Sequence, residues 1–269
     1  MCIGNCNDPF VTYLKENGYN AIRLPRTNVR PLQILGKTDR DLTWLGELAD
    51  VFTPKGDVSI PTIENDIGAS GISGKRTGEM SVGLGLSLLG SVIGAMGGAK
   101  VGLDVTYKEA NSITFEFPEV LSDQITLTKL DRYLGSSDIN PGLVTISQLL
   151  DADEIYVITN TIKSKKFSVQ AVRSDNSSLE VSVPAVQEVL GANVKASSSG
   201  KIDGNITYEG SVPLVFGFQA VQLYYDNGAY TSFKPIDAGK IAAKALSKLD
   251  TTKNNYLVTD EALTRLKMR

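Results

Sequence analysis

Residue types that commonly carry out chemistry are sparse in this sequence. Histidine is absent, and the two cysteines, Cys2 and Cys6, both lie near the N-terminus. Without histidine there is no Ser-His-Asp or Cys-His activation of a nucleophile and no histidine-bearing zinc signature. Two cysteines are too few for a zinc tetrad or a disulfide framework. The acidic run "DADE" at 151–154 has no second ligand group at a recognisable spacing. The sequence therefore predicts a protein that is not an enzyme, with no metal site.

The composition is that of a globular protein and argues against nucleic acid as a partner. A hydrophobic fraction of 42% over 269 residues supports the core of one large domain. The formal net charge of −3 gives no general attraction to polyanions. The first residues lack the positive and apolar regions of a secretory signal. We therefore expect the chain to start in the cytoplasm.

The stretch "SVGLGLSLLGSVIGAMGGA" at 81–99 contains no charged residue. Its glycines each weaken a helix by about 1 kcal/mol relative to alanine. Apolar residues instead recur at every second position, which is the period of a strand, and a similar run follows the Gly97-Gly98 pair. The sequence therefore predicts a β-hairpin. Its alternating residues are Val82, Leu84, Leu86 and Leu88 before the turn, and Val101, Leu103, Val105 and Tyr107 after it.

Three interpretations of this hairpin remain open at the level of the sequence. A strand pair with one buried face would show the same alternation. A hairpin that inserts into a membrane accounts better for the length of the uncharged run, because a spanning strand needs roughly 9–11 residues. The spacing of Gly90, Gly94 and Gly98 also fits a pair of packed transmembrane helices, which is the least favoured interpretation.

Other segments carry ordinary signals for helices and strands. Helices are predicted at 7–18, 122–134, 142–150 and 184–190, and a short one at 41–52. Strands are predicted at 19–25, 30–35 and 112–117, and on both sides of the Asp226-Asn227-Gly228 turn. A second hairpin is predicted around 173–178, with Phe167 and Val169 in one arm and Leu179 and Val181 in the other.

The last part of the chain differs in character from the rest. An amphipathic helix is predicted at 237–249, followed by the polar joint "DTTKNNY" at 250–256 and a short helical tail at 259–269. We therefore divide the chain into a core at 1–249 and a C-terminal tail at 250–269.

Taken together, these features resemble the bacterial gasdermins. The resemblance is carried by the near-terminal cysteine in "MCIGNC", the helix and strand that open the chain through "RPLQIL", the Gly-rich alternating hairpin at 80–117, the second hairpin at 155–183 and the short tail. It implies an α+β fold in which a twisted central antiparallel sheet is flanked by helices and the short tail packs on the sheet.

The resemblance also implies a function. It implies an autoinhibited pore-forming protein of bacterial antiphage defence, cytoplasmic until an associated protease removes its tail. The core then forms a homo-oligomer, inserts hairpins among the lipids of the inner membrane and causes cell death. No cofactor is expected other than a covalent fatty acyl group, such as palmitate, on an N-terminal cysteine. Cys2 matches that position best, with Cys6 as the alternative.

The sequence assigns residues to each of these steps. The membrane-inserting set comprises the eight alternating residues of the first hairpin and Phe167, Val169, Leu179 and Val181 of the second. The candidate residues before the scissile bond are Lys248, Leu249, Asp250 and Lys253. The apolar residues expected to hold the tail on the core are Leu257, Val258, Leu263 and Leu266. Two alternatives are a cytosolic scaffold tethered by its acyl chain without pore activity, and an enzyme that uses only carboxylates and lysines.

Overall fold

The chain alternates short helices with strands that pair into one large sheet. A computed structural model describes residues 9–38, 41–99, 102–198 and 204–235, and the backbone of 241–242, 258–259 and 264–267. The helices are α1 (Pro9–Glu16), α2 (Leu48–Val51), α3 (Val82–Ala95), α4 (Leu103–Thr106), α5 (Leu127–Gly135), α6 (Val144–Asp151) and α7 (Val183–Leu190).

The strands are numbered in chain order. They are β1 (Asn20–Arg26), β2 (Gln33–Thr38), β3 (Asp41–Glu47), β4 (Phe52–Pro54), β5 (Glu64–Gly68), β6 (Met80–Ser81), β7 (Ser112–Glu116), β8 (Leu121–Gln124), β9 (Ser137–Ile139), β10 (Ile155–Val172), β11 (Val194–Ser198), β12 (Asn205–Asp226), β13 (Ala229–Pro235), β14 (Ile241–Ala242), β15 (Val258–Thr259) and β16 (Thr264–Lys267).

Two long antiparallel strands, β10 and β12, form the centre of the sheet. Along the main path the order is β1-β12-β10-β2-β3-β16-β15-β14. One edge of β10 pairs with β12, and the other pairs in turn with β2, β8 and β7. β11 and β13 also pair with β12, and the separate pair β4–β9 lies off the main sheet. Nearly every strand of the sheet is thus attached to β10 or β12, directly or through one neighbour.

The residues of β10 and β12 alternate between two apolar clusters because successive side chains of a strand point to opposite faces. Ile155 and Val157 join a cluster that packs against α2, α5 and α6, while Tyr156 and Ile158 point to the other face. Burial raises the pKa of Tyr156 to about 12, which keeps its hydroxyl neutral. A strand buried on both faces belongs in the middle of the fold, as β10 does.

A third cluster fills the other end of the sheet and includes most of the apolar residues that the sequence analysis singled out. It combines the buried face of α1 with α3, α4, α7 and the ends of β7, β10 and β12. α1 contributes Phe10, Tyr13 and Leu14, whose spacing places them on one side of a helix. Phe117 stacks on Phe216 with ring centroids 4.2 Å apart. We call this group the distal cluster.

The predicted α+β architecture with a central antiparallel sheet is confirmed. The turn between β12 and β13 forms at Asn227 and Gly228, whose φ angles of 50° and 77° are those of a type I′ hairpin. The helices predicted at 7–18, 142–150 and 184–190 are present as α1, α6 and α7. These elements have strong local signals: Pro9 in the first turn of α1, and Gly191 directly after α7.

Other predicted elements are wrong in detail. The segment 121–124, expected in a helix, is the strand β8, because its backbone pairs with β10 and β5. The short helix expected at 41–52 is the strand β3 followed by the four-residue α2. The tail was expected to be helical, but its backbone at 264–267 forms β16, and Ile241–Ala242 of the helix predicted before it forms β14. In each case pairing with another strand decides the local conformation.

Candidate functional site

The uncharged stretch at 81–99 is largely the helix α3, so the first arm of the predicted hairpin is not a strand here, and membrane insertion of that hairpin stays a prediction. Its second arm is also helical in part, because 103–106 form α4. Val101 lies outside the described residues. The strand interpretation rested on the alternation at 82–88. It overlooked a second pattern, in which residues three and four apart are buried from Gly85 onward: Gly85, Leu88, Leu89, Val92, Ile93 and Met96.

That second pattern is the buried face of a helix. It gains more from packing in the distal cluster than the glycines cost, since burying a Leu or Ile side chain contributes about 1.5–3 kcal/mol. Gly85 also has a packing role. A Cβ atom added there would lie 2.7 Å from Cβ of Ile113 on β7, so only glycine allows α3 to approach the sheet this closely.

We expect Gly85→Val to lower the free energy of unfolding by about 1–3 kcal/mol, the usual cost of overpacking. Gly83→Val is the matched control, because a Cβ atom at Gly83 would meet nothing within 4 Å. The control should change stability by less than about 0.5 kcal/mol, as exposed substitutions do. Urea unfolding of the full chain measures both. Equal losses for the two variants would contradict the close packing of α3 on β7.

Tyr107, directly after α4, links the first segment predicted to insert to β12 through a pair of buried tyrosines. The hydroxyl groups of Tyr107 and Tyr208 are 2.5 Å apart, and both side chains are fully buried. Tyr208 stacks on Phe167 of β10, with ring centroids 5.1 Å apart. Val105 of the same short helix is 65% exposed. The predicted residue set is therefore divided, since Tyr107 holds the resting structure together while Val105 faces solvent.

The second predicted hairpin is only partly present. Phe167 and Val169 lie in β10 and are buried in the distal cluster, as expected for one arm. The other arm pairs only at its start, where Val172 bridges to Ser178 and the backbone N–H of Leu179 donates to the carbonyl of Ala171 at 2.8 Å. Val181 lies in an irregular stretch just before α7. α7 then begins at Val183, close to the start of the helix predicted at 184–190.

The loop between β5 and α3 is bound to β7 by side-chain and backbone hydrogen bonds. Arg76 forms an ion pair with Glu116 at 2.9 Å and donates to Oε1 of Gln170 at 2.8 Å. Thr77 exchanges hydrogen bonds with the backbone of Phe115 through its own N–H and its hydroxyl oxygen. The hydroxyl of Tyr13 donates to the carbonyl of Ile72, and burial raises the pKa of that hydroxyl. The start of α3 is thereby fixed beside β7.

A nearly buried ion cluster lies in the middle of β10, at a register shift after Ile162. The Lys163 ammonium is 2.7 Å from Asp123 of β8 and 2.9 Å from Asp66 of β5. The Lys163 and Asp123 side chains are only 12% and 11% exposed. Burial acts to lower the pKa of Lys163, but the hydrogen bonds that its ammonium donates to the two carboxylates raise that pKa above its ordinary value. Lys163 belongs to the basic run "IKSKKF" with Lys165 and Lys166, which is typical of a solvent-exposed strand, so the sequence did not predict this cluster.

Several predicted site residues lie outside the described residues. These are Cys2, Cys6, Lys248, Leu249, Asp250, Lys253, Leu257 and Leu263. Of the tail residues, Val258 lies in β15 and Leu266 in β16. β16 pairs in parallel with β3, with Leu266 opposite Leu42. The tail backbone at 264–267 therefore lies along the edge strand β3.

Among the described residues, no group of acidic or cysteine side chains could hold a metal ion. Within the same part of the chain, no helix is long and apolar enough to cross a membrane.

The sheet carries apolar helices at the distal cluster, beside several strand ends, and the C-terminal strand β16 pairs with its strand β3. Residues 22–230 match the family model described as the Bacterial Gasdermin Family. A gasdermin from a Desulfuromonadales bacterium is 47% identical over 97% of this chain and 98% of its own length. One from Lysobacter enzymogenes is 37% identical over 90% of this chain and 89% of its own.

The fold agrees with this match. The solved structure of a bacterial gasdermin from Bradyrhizobium tropiciagri aligns with a TM-score of 0.60 at 16% identity, covering 86% of this chain and 92% of that one. The chain belongs to the bacterial gasdermin family. The family resemblance found in the sequence is thus confirmed.

Proposed function

We propose that this protein is an autoinhibited pore-forming protein that acts without enzymatic chemistry. Removal of the tail at 250–269 by a protease, cutting near Lys248, Leu249, Asp250 or Lys253, releases the core. The core then forms a homo-oligomer and inserts its two apolar segments into the inner membrane, which causes cell death in antiphage defence. Family membership supports the general class. The tail strand supports the control step.

The observation that carries the proposal is the position of the tail in the sheet. β16 extends the edge at β3, β15 and β14 follow it, and β14 lies close to β1 at the other end of the same path. Edge strands present unpaired N–H and C=O groups that pair readily with another chain. The tail strands thus occupy an edge that neighbouring core domains would otherwise use.

The tail binds by few backbone pairs, so its attachment to the core matters for its affinity. β16 pairs with β3 at Arg265, Leu266 and Lys267. A tethered segment acts at a high effective concentration, which makes a weak contact sufficient. Cutting the joint removes that advantage, and the short tail dissociates. The polar residues at 250–256 provide the extended backbone that a protease needs.

We also propose that Cys2, or alternatively Cys6, carries a fatty acyl group that assists insertion. A single acyl chain binds membranes only marginally, so it would not anchor the resting protein stably. This fits a protein that is cytoplasmic before cleavage. Intact-mass measurement of protein from the native host tests the proposal, which fails if neither cysteine carries an adduct.

Cleavage of the joint should convert an inert chain into one that releases dye from lipid vesicles. The full-length chain would carry a recognition sequence for a site-specific protease in place of residues 250–256. Vesicles of phosphatidylethanolamine and phosphatidylglycerol, loaded with a quenched dye, report leakage. We expect release only after cleavage, together with ring-shaped oligomers in electron micrographs.

The unmodified chain treated with the same protease is the control and should leave the vesicles intact. A cleaved chain that stays monomeric and releases no dye would contradict the pore proposal. That outcome would favour the alternative of an acyl-tethered scaffold without pore activity.

A further inference from the structure

Four strand ends leave the sheet together at the distal cluster. β6 leads into α3, and β7 follows α4 in the chain. β10 leads towards α7, and β12 follows β11. Ser81 lies opposite Ser112 in one pair, and Ser112 lies opposite Val172 in the next. On the other side of β10, Gln170 lies opposite Asn205. The two segments proposed to insert are therefore continuous with ladders that already exist.

We propose that these resting ladders set the register of the inserted strands, and so define which residues of all four segments contact lipid and which line the pore. This inference rests on the proposed pore function and deepens it. The strand pairs of the resting structure are the first pairs of the inserted sheet. The residues of the unwinding helices add to them one by one. Their register is kept because pairing that already exists need not be broken.

The proposal can be tested first against the chemistry of the sequence. Continuing each ladder in its present register places the residues of 82–95, 98–111, 173–186 and 189–202 in rows of four. From the row of Leu88 to the row of Gly94, one face of the resulting sheet is apolar. Its central rows are Leu88, Val105, Leu179 and Ala196, followed by Gly90, Leu103, Val181 and Val194.

The other face is polar in the same construction. Its corresponding rows are Ser87, Thr106, Ser178 and Ser197, then Leu89, Asp104, Glu180 and Lys195, then Ser91, Gly102, Ser182 and Asn193. Such a division into one apolar and one polar face is what a strand sheet between lipid and water requires. Three independently formed ladders produce it together, although none of the rows exists in the resting structure.

A neighbouring register would not give this result. The bridge between Arg76 and Glu116 is displaced by one residue from the Met80–Ile113 pair, so both registers occur beside each other in the structure. Continuing the Arg76 register would place Leu88 opposite Asp104 and mix the two faces. A slip of one residue exchanges the faces of a strand. The β6–β7 pair, which leads into α3, has the register that keeps the apolar and polar faces separate.

The same register locates the end of the first hairpin. Ala95 falls opposite Gly98, which leaves Met96 and Gly97 in the turn. Gly97 already has a φ of 81°, a conformation that glycine adopts without strain. The arm from Leu86 to Gly94 then has about nine residues, close to the roughly 9–11 that a spanning strand needs.

One polar row offers a direct test of the register, because it contains three charges. Glu180 falls between Asp104 of the neighbouring segment and Lys195 of its own hairpin. All three are exposed in the resting structure. There Lys195 lies in β11 opposite Glu209, not opposite Glu180. The contact between Glu180 and Lys195 is therefore specific to the inserted state.

We expect Lys195→Glu to slow dye release by about tenfold, because it places three acidic groups side by side in every subunit, and like charges directly opposite are destabilising. Adding Glu180→Lys should restore the parent rate, since the row then alternates in sign. Glu180→Lys alone exchanges one like-charge neighbour for another and should stay within about threefold of the parent. Each variant is cleaved at the engineered joint and assayed on vesicles of phosphatidylethanolamine and phosphatidylglycerol.

The matched control is Lys195→Glu combined with Glu188→Lys, which restores the same net charge from α7, outside this row. Failure of Glu180→Lys to rescue, or equal rescue by Glu188→Lys, would overturn the register while the parent still leaks and the pore function stands. A parent chain that releases no dye after cleavage would overturn the proposed function and this inference with it.

A cross-link avoids any effect of Lys195→Glu on β11. Ser182→Cys and Asn193→Cys fall directly opposite each other in the proposed register, whereas Ser182→Cys and Lys195→Cys are displaced by two residues. After cleavage on vesicles, oxidation should link the first pair at least tenfold more than the second, with the linked peptides identified by mass spectrometry beside the native cysteines. Preferential linking of the second pair would contradict the register.

Discussion

We expect Val105→Arg to abolish dye release from the cleaved chain while leaving the uncleaved chain as stable as the parent. Val105 is 65% exposed in the resting structure, so its replacement removes no packing there. In the proposed hairpin it lies near the middle of the lipid face, where arginine costs about 2–4 kcal/mol. Every subunit of an oligomer would carry that cost. Vesicle leakage and urea unfolding of the same preparation measure the two effects.

Asp104→Arg is the matched control for this prediction, because Asp104 is the adjacent residue and is also exposed. In the proposed hairpin it lies on the polar face, next to Glu180. The control should release dye within about threefold of the parent rate, since surface charge changes cost little. If Val105→Arg and Asp104→Arg leak equally well, the hairpin does not present Val105 to lipid.

The second large effect concerns the resting fold, and it should follow from Lys163→Met. Methionine keeps the length of the side chain but leaves the nearly buried Asp123 carboxylate without its cation. Removing one partner of a buried ion pair costs about 3–5 kcal/mol. We expect a loss of that order in the free energy of unfolding of the full chain, measured in urea at neutral pH. β5 and β8 should also exchange amide hydrogens faster.

Arg173→Met is the control, because Arg173 pairs with Glu109 at 3.0 Å but both side chains are largely exposed. Its loss should stay below about 1 kcal/mol.

The pH dependence of stability gives a further check on the Lys163 cluster. Because the pKa of Lys163 is raised above 10.5 in the folded protein, its contribution is full at neutral pH and declines as the pH rises through the raised value. Parent and variant should therefore converge in strongly alkaline solution. If Lys163→Met and Arg173→Met lower the free energy of unfolding by similar amounts, Lys163 does not stabilise the fold as a buried ion pair.

Elements with a strong local signal were predicted correctly from the sequence. α1 is specified by Pro9 and by apolar residues on one side, and the β12–β13 turn by Asn227 and Gly228. α3 was not predicted, because glycine and the alternation at 82–88 both favour a strand. Its helical state depends on the distal cluster, and in particular on the space that Gly85 leaves for Ile113. The pattern of residues within α3 does not reveal this contact with a residue of β7.

The candidate site was predictable to a similar extent. Most of the alternating residues lie in or against the distal cluster, and their role in insertion stays a prediction. Strand registers depend on pairing between distant segments and cannot be read from either segment alone. The Lys163 cluster was missed for the same reason, since Asp66 and Asp123 reach it from two other strands. The roles assigned to Cys2 and to the tail leucines stay predictions.

The place of β12 in the sheet has a consequence for synthesis of the protein. β1 near the start of the chain pairs with β12, with Asn20 opposite Phe218, so the sheet cannot close until β12 has left the ribosome. β16 begins at Thr264 and therefore follows Asp226 by about 2 to 8 s at the usual 5–20 residues per second. Sheets with such distant pairings fold in milliseconds to seconds. The order of translation thus limits a newly made core to a few seconds without the strand that we propose to be inhibitory.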